Sequence, residues 1–579
     1  IFGNRMKTKK PVRPVEKPAS FSLRPWHVVV GALAALVILI EVYGPALHGL
    51  FVFDDEYLPF YSYDLGTKPL SVVVQGVRPL LMITFWLNHR LSRLEPYSYH
   101  LLNVLLHFGG GFLVFLISLK FLEWAGVENG RRQILAAFAG GVFLLHPVQT
   151  ESVAYVASRS ENLSVLLCYA AFAVFLYRRE KAASWATTAC ILVLFAAAAS
   201  TKEHTVVLPA LLLLTDFYWN PGFSFEGIRK NWRLYATMSV AGAAGVLFVW
   251  NVLRSARTAG FGMEGLTWNE YFYTQWRALW VYFRLFLFPA GQKGDYDYPF
   301  SRTPLDHGAI VGLIGLLVLV GLAFRFRKRF PLASYGFFAA LVLFAPTSSI
   351  VPIQDAVAER RIYLPMIGLI LVVLELLRRW KIPSARLAGV LAGVLLVLGF
   401  LTYQRNKVWA GPIPFWENVL AGSPDNSRAH FQIGLAYYQE GRCEAAVSHY
   451  ARSEKLGRIE HRLFVDWALA EDCLGHPEQA LAHLERAAGM RPTAHVYALI
   501  GMIHAKQGHN EQALAALNQA ERLDPAHDMT YAYRGNILLL DGDAVGAAAQ
   551  YRRALELNPN NEAARNGLAR ARSASQKAP

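Results

Sequence analysis

HVVVGALAALVILIEVYGPALHGLFVFDDEY, residues 27–57, sets one apolar run directly against three consecutive carboxylates, Asp54, Asp55 and Glu56. The run from residue 27 to residue 47 is long enough to cross a bilayer as a helix, which takes about 20 mostly apolar residues. Carboxylates are costly in hydrocarbon, so three at the exit of a span, set between Phe53 and Tyr57, mark a water-filled or substrate-filled site more than a simple helix end. Ahead of the run, Met6 to Arg24 carries six basic residues. No small-residue cleavage site follows, so the segment reads as a retained signal anchor with a cytoplasmic N-terminus.

Outward from this stretch, apolar runs recur near 100–119, 133–146, 162–177, 185–200, 205–219, 235–253, 308–324, 331–347, 363–377 and 386–403. With the first run they predict about 11 spans. The composition agrees, since 54% of the 579 residues are hydrophobic and only 17% charged, which a water-soluble enzyme does not show. The net charge of +15 does not point to nucleic acid. Its basic residues sit in short clusters between the runs: Lys120/Arg131/Arg132, Arg178/Arg179/Lys181, Arg229/Lys230/Arg233, Arg325/Arg327/Lys328/Arg329 and Arg378/Arg379/Lys381. Counted from a cytoplasmic N-terminus, all five fall on the cytoplasmic side. The acidic loop, residues 146–161, 201–204, 254–307 and 347–363 then share the outer face. One further run, Tyr271 to Pro289, would invert every later cluster if it spanned, and is predicted to lie on the outer surface as an amphipathic helix. The stretch Val72 to Leu91 is read the same way.

After Tyr403 the pattern becomes that of soluble helices. Gly434, Ala468, Gly501 and Gly535 recur at one position, and Ala446, Ala480, Ala513 and Ala547 at another, with Pro492, Pro525 and Pro559 closing three units of about 34 residues. This is the tetratricopeptide-repeat pattern, in four copies from about residue 427 to residue 571. The chain is therefore all-α, with a basic N-terminus (1–26), a polytopic membrane bundle (27–410) and an extracytoplasmic repeat α-solenoid (411–579) whose groove suits an acceptor polypeptide. The four cysteines, Cys168, Cys190, Cys443 and Cys473, form no metal framework. Cys443 and Cys473 fall at one edge of the stack, where an oxidising compartment would allow a disulfide.

Three outer groups carry candidate chemistry. His146, Gln149 and Glu151 follow the third span, with Arg159 and Glu161 before the fourth; after Pro147 these polar groups need a cavity, and they suit a sugar or acceptor shelf. Lys202, Glu203 and His204 sit in a short turn, where a snorkelling lysine paired with its neighbour is the plain alternative. Arg360 and Arg361, entering the tenth span ahead of Tyr363, offer guanidinium groups that match phosphate oxygens, with an ion pair to Glu359 or Asp355 as the competing reading. Carboxylates and guanidinium groups on one face suit group transfer from a phosphate-linked lipid, a carboxylate deprotonating an acceptor hydroxyl as general base and cations steadying the leaving phosphate. No Walker or Rossmann glycine pattern is present, which argues against a cytosolic nucleotide donor. No strong metal-ligand spacing is present either, and a divalent metal is left open.

In order along the chain, Phe51 to Asp55, Arg78-Pro79-Leu80, Thr84 to Asn88, Tyr99 to Asn103 with His107, His146 to Glu151, Lys202-Glu203 and Glu359-Arg360 to Pro365, followed by the repeats, resemble the transmembrane and tetratricopeptide-repeat (TMTC) glycosyltransferases. The resemblance covers nearly the whole chain, and its four repeats and compact outer loops suggest a bacterial member. It implies the GT-C membrane fold shared with protein O-mannosyltransferases, a polyprenyl-phosphate mannose donor, and inverting transfer to Ser or Thr hydroxyls of proteins on the extracytoplasmic face. It places the catalytic acid in the first outer loop, on Asp54 or Asp55. The related Asp-Glu motif can be laid on Asp54-Asp55 or on Asp55-Glu56, and Asp55 is preferred. It implies that Arg78, Lys202, Arg360 and Arg361 hold the donor phosphate, and that Glu56, His146, Gln149, Glu151, Arg159, Glu161, Glu203 and Tyr363 line the substrate site. Transfer to a glycan or lipid, or a non-catalytic membrane-anchored scaffold, are the alternatives.

Overall fold

A computed structural model describes residues 25–62, 64–178, 182–255, 259–263 and 265–577. The basic segment Met6 to Arg24, the residues Arg179 and Lys181, and the side chain of Glu56 lie outside the described residues. The chain divides into two units, Ile1–Gly411 and Pro412–Pro579.

In the first unit every apolar run is a helix: Pro25–Leu47, Pro96–Trp124, Asn129–Leu145, Arg159–Leu176, Trp185–Ala199, Leu208–Trp219, Trp232–Ser255, Ala309–Arg325, Pro331–Phe344, Met366–Arg378 and Ser384–Asn406. Length does not make all eleven of them spans. Five helices among the described residues are long and apolar enough to cross a membrane, and Asn129–Leu145 joined to Pro147–Ala154 across a 49° bend would make a sixth. Leu208–Trp219 has 12 residues. At 1.5 Å per residue it covers about 18 Å, well short of a hydrocarbon core of about 30 Å. The expected count of eleven thus holds for helices and not for crossings judged by length.

The run near 271–289 is the helix Trp268–Leu287, opened by a capping box between Thr267 and Glu270. It buries Tyr271, Thr274, Gln275, Ala278, Leu279, Tyr282 and Leu285. That is the three-and-four spacing of a helix with one apolar face. The stretch 72–91 divides into Leu70–Val73 and Pro79–Ser92. Helices Pro331–Phe344 and Met366–Arg378 touch backbone to backbone, because a Cβ at Gly336 would meet the Gly368 carbonyl at 2.5 Å.

Several basic residues of the clusters read above as cytoplasmic close helix ends. Arg131 donates to the carbonyls of Leu377 and Ile382, 3.1 and 3.0 Å away. Asp216, fully buried, accepts from Arg178, Asn231 and Tyr235. Unpaired carbonyls at a helix C-terminus attract cations, so this wiring serves the fold as well as orientation.

The second unit is a stack of helix pairs: Ser427–Gln439 with Cys443–Lys455, His461–Cys473 with Pro477–Met490, Ala494–Lys506 with Asn510–Leu523, and Asp528–Leu540 with Ala544–Leu557. Helix Glu562–Lys577 ends it. A disulfide joins Cys443 to Cys473, tying the first pair to the second.

Candidate active site

The acidic loop is a short 3-10 helix, Phe53–Tyr57, opened by Phe53 at φ 59°. A non-glycine residue in the left-handed region costs about 1–2 kcal/mol, so the surroundings must hold it there. They do so from two sides. Phe51 and Phe60 pack with Leu81, Phe85 and Tyr99 in a small apolar cluster beneath the loop. Above it, Asp55 reaches across to residues 155–158.

The two adjacent aspartates have opposite surroundings. Asp55 is fully buried, and its carboxylate accepts from the Ala157 amide at 2.7 Å and from the Val52 amide at 3.2 Å. Burial pushes this carboxyl up to about 8, against the pull of those backbone N–H groups. Asp54 is exposed, and its amide donates to the Tyr155 hydroxyl at 3.2 Å. A base facing an acceptor hydroxyl must be reachable, and of the two only Asp54 presents its side chain outward. The preference for Asp55 read from sequence therefore meets a carboxylate that is committed to the backbone.

The arginine pair divides in the same way. Arg360 forms ion pairs with Glu151 and, at 3.3 Å, with Asp355, and its own amide also donates to Glu151. Burial works against its charge, but Glu151 and then Asp355 outweigh it and hold the guanidinium above its ordinary value. Arg361 donates to the Tyr271 hydroxyl at 3.0 Å and to the carbonyls of Ala356 and Asp355. All of those acceptors are neutral and the side chain is buried, so in this structure Arg361 is committed to the 355–361 loop. Glu359 pairs with neither arginine of this loop: it accepts from Gln292 at 2.6 Å, Tyr296 at 2.7 Å and the Lys293 amide at 2.9 Å.

Beside these lies a second charged group. Lys202 pairs with Glu161, and His204 Nε2 lies 3.3 Å from the same carboxylate. Burial pulls the Lys202 ammonium down, with Glu161 opposing, and burial lowers His204 to about 4, which leaves it neutral. Arg78 forks onto Glu203 through Nε at 3.1 Å and Nη2 at 2.9 Å. Arg78 and Arg360 both act on Lys202, so the two groups share one electrostatic neighbourhood.

Other sequence candidates serve the frame. His146 donates from Nε2 to the Phe286 carbonyl at 3.0 Å and accepts the Val148 amide at Nδ1, capping the turn at Pro147. Arg159, fully buried, spends its guanidinium on Asn103 and the Tyr99 carbonyl and lies over the Phe85 ring at 4.4 Å. The Tyr363 hydroxyl meets His107 at 2.9 Å in the bundle interior. All three are buried. Gln149 is buried with neither amide atom hydrogen-bonded, so it remains a polar group in want of a partner.

Tyr155 was not among the residues singled out from sequence. Its hydroxyl is held protonated, well above its usual range, by burial first and then by Asp55 and Asp54, with Arg360 opposing. Tyr155 therefore touches the acidic loop, and Arg360 lies close enough to act on its charge. Nothing local in the sequence marks it, since it is one aromatic among several. Among the described residues no three His, Cys, Asp or Glu side chains converge as metal ligands.

The tetratricopeptide-repeat family model matches residues 415–458, 465–528 and 499–562. Curated relatives across most of the chain are protein O-mannosyl-transferases, several of the TMTC group. Human TMTC3 is 23% identical over 622 residues, covering 94% of this chain and 65% of that protein. A protein O-mannosyl-transferase of Caenorhabditis elegans is 24% identical, covering 73% of this chain and 62% of its own length. Drosophila melanogaster Tmtc1 is 31% identical over 205 residues, 32% of this chain and 23% of that protein. The chain thus spans less than two thirds of the length of these relatives. Among solved structures, the tetratricopeptide-repeat protein YrrB matches 31% of this chain and 88% of its own at 19% identity and a TM-score of 0.23.

Proposed function

We propose that the chain is an inverting glycosyltransferase that moves a sugar, mannose, from a polyprenyl-phosphate donor to Ser or Thr hydroxyls of extracytoplasmic proteins, the repeats holding the acceptor. The observation that carries this reading is that one short segment, residues 151–157, holds both the acidic loop, through Tyr155 and the Ala157 amide, and Arg360, through Glu151. The curated relatives named protein O-mannosyl-transferases support the reaction class. The disulfide in the repeats supports their placement in an oxidising compartment outside the cytoplasm.

In this reaction Asp54, whose side chain is exposed, takes the proton of the acceptor hydroxyl as general base. The freed oxygen attacks the anomeric carbon while the bond from that carbon to the phosphate oxygen breaks, and the polyprenyl phosphate leaves with the electron pair. Arg360, Arg78 and Lys202 keep part of their surface open and steady the charge that grows on the leaving phosphate. Asp55 holds the loop, and Arg361 holds the turn that carries Arg360.

The test is incubation of the purified full chain with labelled polyprenyl-phosphate mannose and a panel of secreted polypeptides, read by mass spectrometry. Label on Ser or Thr is expected. A chain ended at Gly411 should lose transfer to polypeptides while sparing a small hydroxyl acceptor. Label on lipid or glycan alone would move the reading to those acceptors, and no transfer with any acceptor would sink it.

A further inference from the structure

The acidic loop is fastened to residues 155–158 at two points. The first is the Asp55 carboxylate on the Ala157 amide, 2.7 Å. The second is the Tyr155 hydroxyl, which accepts the Asp54 amide hydrogen at 3.2 Å. A hydroxyl that accepts one hydrogen still has its own to give, and a carboxylate can only accept. Tyr155 therefore holds Asp54 by its backbone and keeps a hydrogen to offer the adjacent carboxylate.

Its ring is fixed in turn. It is buried, stacked on Trp409 with centroids 5.9 Å apart and planes 24° from parallel, and it meets the Phe53 ring at 5.7 Å. The Tyr155 carbonyl accepts from the Ser158 amide at 3.1 Å and from Asn103 at 3.4 Å. An exposed aspartate on a strained 3-10 turn has several rotamers open to it, and a hydroxyl anchored this firmly removes most of them.

We propose that Tyr155 is a positioning residue for sugar transfer: its hydroxyl, anchored by the stack on Trp409, fixes the Asp54 backbone and with it the direction from which the carboxylate reaches the acceptor hydroxyl. This rests on the reading of Asp54 as the base. The residue does not touch the reacting atoms, and it acts on the rate through where it holds Asp54.

The experiment uses the full-length chain reconstituted in lipid, with labelled polyprenyl-phosphate mannose and an acceptor polypeptide already modified by the wild type. Tyr155→Phe keeps the ring, its stack on Trp409 and its volume, so the variant should melt within a few degrees of wild type. Its kcat should fall about 10- to 100-fold, as a misplaced catalytic group does, while the donor KM stays within about twofold. Tyr155→Phe added to Asp54→Asn should cost no more than Asp54→Asn alone, since the hydroxyl works only through that carboxylate. A Tyr155→Phe enzyme with wild-type kcat, or a double variant in which the two losses multiply, overturns the proposal. Wild-type protein that transfers nothing overturns the functional reading instead, before the variants are compared.

Discussion

Replacing each aspartate of the loop in turn separates structure from chemistry at neighbouring positions. Asp55→Ala strips the partner from two backbone amides, those of Val52 and Ala157. A buried donor left unpaired costs about 1–3 kcal/mol, so the pair sets a loss of about 2–6 kcal/mol. Part is returned, because Phe53 at φ 59° is strained and a freed loop can relax by about 1–2 kcal/mol. The expected net loss is about 1–4 kcal/mol. At about 1 °C per kcal/mol for a unit of this size, melting of the membrane unit falls by a few degrees. Asp54→Asn, at an exposed side chain, should leave melting unchanged and slow transfer by about 10²- to 10⁴-fold, to a residual rate that is still measurable.

The pH dependence adds a second signature. The folded protein holds the Asp55 proton up to about 8, against 3.8 as the ordinary value. The folded state binds that proton more tightly than the unfolded chain, so the contribution of this group is fullest below about 3.8 and is lost as pH rises toward about 8. Wild type should therefore lose stability across that window relative to Asp55→Ala. Calorimetry and scintillation counting of transferred sugar, done on the same preparations, check both halves. An Asp55→Ala protein that melts like wild type at about pH 4, where the group contributes almost fully, or an Asp54→Asn protein that transfers at the wild-type rate, would refute the division of labour.

Arg360→Ala leaves Glu151 buried without its cation, and should destabilise the membrane unit by about 3 kcal/mol as well as end transfer; thermal melting alongside activity reads both. Arg78→Lys loses the two-point grip on Glu203 in a pair that is 38% and 23% exposed, worth at most about 1 kcal/mol, so donor KM should rise several-fold while the melting temperature holds. Cys473→Ser opens a loop closed across 30 residues, and the chain-entropy relation gives about 3–4 kcal/mol lost from the repeat unit. Urea unfolding of the repeats followed by tryptophan emission measures that loss, and maleimide labelling of intact cells should find Cys443 and Cys473 blocked in the wild type.

Helix positions were legible because they depend on runs of apolar residues that are contiguous in the chain. Residues 162–177 read as a helix in the sequence, and Arg159–Leu176 is one. The number of crossings was less so, since a run's apolarity does not say where the helix stops. Pro147 bends the chain by 49° beyond Leu145, and Leu208–Trp219 begins only after the 3-10 turn Glu203–Val207. The site residues were legible by type and not by role. Arg360 and Glu151 are 209 positions apart, Lys202 and Glu161 are 41 apart, and no local pattern announces that they pair. Asp54 and Asp55 carry the same side chain one position apart, and only the turn of the 3-10 helix decides which is buried against Ala157 and which is exposed.

That pairing also limits how the site can work. Arg360 is already matched by Glu151 and Asp355, and Lys202 by Glu161. A phosphate arriving there competes with resident carboxylates for the same N–H groups. In the proposed reaction the donor would then bind by exchange of one anion for another, which returns little ground-state affinity from each cation. The charge that develops on the leaving phosphate as the sugar departs is what the competition favours. Interactions that strengthen only as the bond breaks raise kcat, whereas equal grip on donor and transition state would lower KM alone. If the proposed reaction holds, a site with its cations pre-paired favours the transition state over the bound lipid, and removing Glu151 should tighten donor binding while slowing transfer.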